Sequence, residues 1–67
     1  MTYRTGVYVV DRRTGRLGQL MGKEGPYVQL RPLGGGREWD CLPRALRLAP
    51  PDEIRQERAA SAGSGDT

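Results

Sequence analysis

Sixty-seven residues with 28% charged side chains, 36% hydrophobic ones and a net charge of +3 allow one small domain around a small core. With no His and a single cysteine, Cys41, the chain excludes a zinc centre of the usual ligands, His-dependent catalysis and an intrachain disulfide framework. No apolar run approaches the ~20 residues of a membrane span, and Met1–Gly6 lacks signal-peptide order, so a cytoplasmic protein without a membrane partner is expected.

Charge is unevenly placed. Residues 1–49 hold nine Lys and Arg against four acids, a net of +5, whereas residues 50–67 hold two against four, a net of −2. A basic body favours a polyanionic partner. Ten of the eleven bases are Arg, a bias that a GC-rich genome also produces without selection for binding.

Residues 1–5 form an N-terminal arm ahead of five predicted strands. The first, over 6–11, centres on Val7-Tyr8-Val9-Val10, β-branched and aromatic residues suited to a pleated surface. Asp11-Arg12-Arg13-Thr14-Gly15 is a polar turn. The second strand, over 16–22, alternates Gly18, Leu20 and Gly22 with Leu17, Gln19 and Met21. Lys23-Glu24-Gly25-Pro26 turns the chain into a third strand at 27–32, ended or placed at a sheet edge by Pro32. A Gly34-Gly35-Gly36 hairpin loop leads to a fourth strand at 37–42, with Trp39 and Cys41 on one face and Glu38 and Asp40 on the other. Residues 43–45 suit one 3₁₀ turn, and a fifth strand closes at 46–49. The predicted core is Val7, Val9, Leu20, Val28, Leu30, Trp39, Cys41 and Leu46.

The fold class expected is all-β, a five-stranded SH3-like barrel over 6–49 whose closure would remove aggregation-prone edges. Residues 50–67 read as a flexible tail because Ile54 is their only apolar anchor; the alternative is a short, partner-dependent helix capped at Asp52.

Gly6 to Val10, followed by Gly15-Arg16-Leu17-Gly18-Gln19-Leu20, resembles the KOW motif: apolar alternation, a Gly-containing turn, then Gly two residues before an apolar position. Trp39 to Leu48 is similar to the 3₁₀-plus-last-strand ending of SH3-like barrels. The resemblance covers most of residues 6–48. It implies a binding module, with ribosomal RNA, RNA polymerase, other proteins or modified peptides as ligands, and no catalysis by the barrel alone.

The chemistry of individual residues agrees with a non-enzymatic role. The triple glycine is followed by strand and not by a helix, so it does not build a phosphate loop. Cys41, beside Trp39 on an apolar face, is an inert thiol. Glu38 and Asp40 fit surface salt bridges better than an acid pair. No cofactor and no metal are expected. The expected ligand-binding residues are Arg12, Arg13, Arg16 and Arg31 for phosphates, with Tyr8 and Tyr27 as stacking surfaces. The partner would be nucleic acid or a protein of the transcription or translation machinery. The alternatives are an adaptor that takes a peptide along a strand edge, and a small subunit of a larger assembly, with Leu17, Met21 and Leu33 as contacts. Oligomeric state is not legible in the sequence.

Overall fold

The computed structural model describes residues 3–64. Five strands, β1 (Tyr8–Asp11), β2 (Arg16–Glu24), β3 (Tyr27–Pro32), β4 (Trp39–Cys41) and β5 (Leu46–Leu48), form one antiparallel sheet in the order β4-β3-β2-β1-β5. A 3₁₀ turn, Pro43–Ala45, joins the two edge strands, and a helix, α1 (Pro51–Ser64), follows.

The β1–β2 hairpin pairs Val9 with Gly18 and Val10 with Leu17. Its turn is closed by the Gly15 N–H, which donates to the Asp11 carbonyl at 2.7 Å, and Gly15 there adopts φ 78°. That left-handed conformation costs a glycine least. In the β2–β3 pair the register slips between Leu20 and Gly22, a bulge at Met21 that bends the long second strand. Pro32 lies beyond the last β3–β4 partners, Leu30 and Trp39, so that edge requires no donor from it.

One face of the sheet carries the core. Val9, Leu20, Val28, Leu30, Cys41 and Leu46 form a single buried cluster, with Tyr3, Val7, Trp39 and Ala45 packed against it. Cys41 and Leu46 belong to the two opposite edge strands, so the sheet curls until both edges meet the same core. Val10 and Leu17, opposed across the hairpin on the other face, are also buried.

Four expectations are corrected. The sheet is not closed into a barrel: β4 and β5 stay unpaired with each other, because each is three residues long and the 3₁₀ turn spaces them. The molecule is mixed α and β, since residues 51–64 form a helix where a flexible tail was expected. Pro51 at the first position and Asp52 and Glu53 in the first turn favour that start. Trp39 and Val7 are half-buried members of the core and not fully enclosed. Leu17 is buried within the domain, so it offers no contact to an outside subunit.

Candidate basic site at the β1–β2 turn

Asp11 organises this end of the sheet. It alternates with Val7 and Val9, so its side chain enters the core face, where it is fully buried. Its Oδ1 accepts the Arg13 backbone N–H at 3.0 Å, an Asx turn that helps shape the hairpin. The Arg13 guanidinium completes a fork, with Nε donating to Oδ1 at 3.1 Å and Nη2 to Oδ2 at 2.9 Å. From β4 the Trp39 indole Nε1–H donates to Oδ2 at 3.0 Å. The Arg13 guanidinium above all, helped by the Trp39 and backbone donors, holds the Asp11 carboxyl well below the usual carboxylate range, against the opposing effect of burial.

Trp39 is fixed from other sides too. The Arg16 guanidinium lies 3.9 Å from the centroid of its ring, a cation–π contact. Gly18 makes room for the indole: a Cβ at that position would stand 2.8 Å from Trp39 Cη2 and 2.9 Å from the Arg31 carbonyl. Burial pushes the thiol of neighbouring Cys41 up, in keeping with an unreactive side chain.

The Arg12 N–H donates to the Ala45 carbonyl at 2.8 Å and ties the β1–β2 turn to the 3₁₀ turn. Exposed Arg44 therefore joins exposed Arg12, Arg13 and Arg16 at one end of the sheet. Across residues 11–16 and 43–45 the only acid is Asp11, already buried and matched to Arg13. Among the described residues Arg12 and Arg44 make no ion pair.

The six residues singled out from sequence divide into three groups. Arg12, Arg13 and Arg16 converge at this end, although Arg13 is committed to Asp11. Arg31 and Tyr8 lie instead in one row across the opposite sheet face, through Gln19. Arg31 there pairs with Glu38 at 3.2 Å. The Tyr8 hydroxyl accepts from Arg58 of α1 at 2.8 Å, with the guanidinium 5.3 Å from its ring centroid. Tyr27, 43% exposed, stands at the far end of the β2–β3 hairpin opposite Glu24. No joint platform of Tyr8 and Tyr27 with the basic turn is formed. Arg44 and Asp11 escaped sequence reasoning. The parity of Asp11 with Val7 and Val9 marked its inward direction, whereas nothing local marks Arg44 as a neighbour of Arg12.

Among the described residues no helix is long and apolar enough to cross a membrane, and no cluster of three or more Cys, Asp or Glu side chains is arranged to hold a metal ion. No family model, curated protein or solved structure matches this chain.

Proposed function

We propose that this chain is a non-enzymatic binding module of SH3-like, KOW-like design, half-open where those barrels close, whose basic end grips the phosphate backbone of nucleic acid. The strand order, with a 3₁₀ turn before the last strand, supports the design. The observation that carries the ligand class is the Arg12–Ala45 backbone bond, which sets the 3₁₀ turn with Arg44 against a β1–β2 turn whose one carboxylate is already neutralised by Arg13. Surplus positive charge with no acid left to cancel it is the electrostatic footprint of a polyanion site. With Tyr8 and Tyr27 elsewhere, phosphates rather than bases are contacted, and binding is indifferent to sequence.

Arg13 is excluded from the test because its removal would strand Asp11. Replacing Arg12, Arg16 and Arg44 together by Gln should weaken binding to duplex DNA or RNA equally across sequences. The slope of log K against log salt should flatten by about 2–3 units, since each neutralised phosphate releases counterions. Fluorescence anisotropy with labelled duplexes over a salt series reads both quantities. No retention of single- or double-stranded nucleic acid by the unaltered protein at low salt would end the proposal.

A further inference from the structure

Strand β2 outruns its partner on one side. Its pairing with β1 covers Arg16–Gln19, and beyond that the Leu20 N–H donates to Val7 and the Leu20 carbonyl accepts from Gly6. The strand nevertheless continues to Glu24, paired on its other side with β3. Among the described residues no backbone hydrogen bond reaches Met21–Glu24 from the β1 side. Unpaired strand edge of this kind is a template for another chain.

A groove lies against that edge. Its cavity of about 350 Å³ has Leu20 and Val28 of the core in its lining, with Gly22 and Lys23 supplied by the unpaired part of β2. Tyr3 and Pro43 line it too, and across them it continues into a second cavity of about 310 Å³ that reaches Arg44 and Leu46. Leu20 and Val28, both buried, form the floor of the groove. The Tyr3 ring packs against the core, and its hydroxyl reaches the Leu46 carbonyl at 3.5 Å. A cation stands at each end, Lys23 and Arg44, and the lining contains no acid. Lys23 makes no ion pair among the described residues.

We propose that this edge and groove form a second binding site, which takes an extended acidic peptide as an added strand alongside Met21–Glu24. Main-chain hydrogen bonds to the free edge hold the peptide. On the side of the peptide that faces the groove, apolar side chains lie over Leu20 and Val28, and carboxylates at either end of that row meet Lys23 and Arg44. The cavity, near the lower end of the ~300–1,000 Å³ of ligand pockets, accommodates one or two such side chains. The requirement for both an extended backbone and negative charge separates this ligand from the duplex proposed for the basic turn.

The probe is an acetylated, amidated heptapeptide, Glu-Thr-Val-Thr-Val-Thr-Glu, whose glutamates and valines share one face of a strand, titrated into the full ¹⁵N-labelled chain and followed by amide shifts. Saturable shifts should appear at Thr5 and Met21–Glu24, while the Arg12–Arg16 amides stay in place. A counterpart with lysine in place of both glutamates should bind at least about fivefold more weakly, and Lys23→Glu should weaken the acidic peptide by about fivefold, as for an exposed ion pair. Of two versions N-methylated at alternate amides, one should lose binding, because only one set of amides faces the edge. Shifts confined to the Arg12–Arg16 turn would overturn the proposal. So would equal affinity for the basic peptide, unimpaired binding of both N-methylated versions, or no shift at all.

Discussion

A buried carboxylate without partners takes up a proton or destabilises its fold; Asp11 does neither because four donors converge on it. Its carboxyl is held below its unfolded value, so the sign of the pH effect follows. Well above the ordinary carboxylate range, about 3.9, Asp11 is charged in both states and its contribution is complete. As pH falls through that range the unfolded chain binds a proton that the folded chain refuses, and stability drops until the folded carboxyl itself protonates. Asp11→Asn should therefore lower stability by about 2–3 kcal/mol at pH 7, with the gap to the parent narrowing steadily below about pH 4. Urea melts at several pH values check this; a gap that does not narrow would contradict it. Gly18 is the second decisive residue. Gly18→Ala places a methyl against the Trp39 ring and a backbone carbonyl, which should cost about 1–3 kcal/mol and shift the Trp39 emission maximum as the indole is displaced.

Among the elements, α1 is held by polar contacts and little apolar surface. Arg47 of β5 forks onto Glu53, with nitrogen–oxygen distances of 2.9 and 3.0 Å, and holds the Glu53 carboxyl below its usual range. Arg58 caps Tyr8, Arg55 pairs with Asp52, and Ile54 alone lends a large apolar side chain. Exposed pairs of this sort stabilise weakly and are screened by salt. Truncation after Ala49 should thus lower the melting temperature by only about 5 °C, while removing the helical circular dichroism and leaving the sheet signal. A collapse of the sheet signal would show instead that the helix is integral to the fold. The sequence offers a helix capped at Asp52 only as the alternative reading of the tail; the helix starts one residue earlier, at Pro51, with Asp52 and Glu53 in its first turn. Its docking was not legible, because it uses Tyr8, fifty residues away, and leaves no apolar stripe in the sequence.

For the whole molecule, an open sheet that curls around one core explains both surfaces. The short edges β4 and β5 limit pairing with other chains by their length alone. Leu20 and Val28 floor a groove beside the end of β2, and the Arg12–Ala45 bond sets the 3₁₀ turn that carries Arg44 against the β1–β2 turn. Charge separation along the chain becomes separation in space only through these contacts.

By itself the sequence determined the strands, the turns and most of the core. Alternation of Val7 with Val9, of Val28 with Leu30 and of Trp39 with Cys41 fixes which side chains face inward, because a strand has a period of two wherever it sits. Glycines and prolines punctuate those runs for equally local reasons. Tertiary structure alone decided the depth of Trp39, its bond to Asp11, the burial of Leu17, the openness of the sheet and the approach of Arg44 to the β1–β2 turn. Each depends on groups far apart in the chain: Trp39 and Asp11 are separated by 28 positions, and a hydrogen bond across that distance leaves no periodic trace. Closure, too, turns on whether two three-residue edges meet after the sheet has twisted, which is a property of the assembled strands and not of either one.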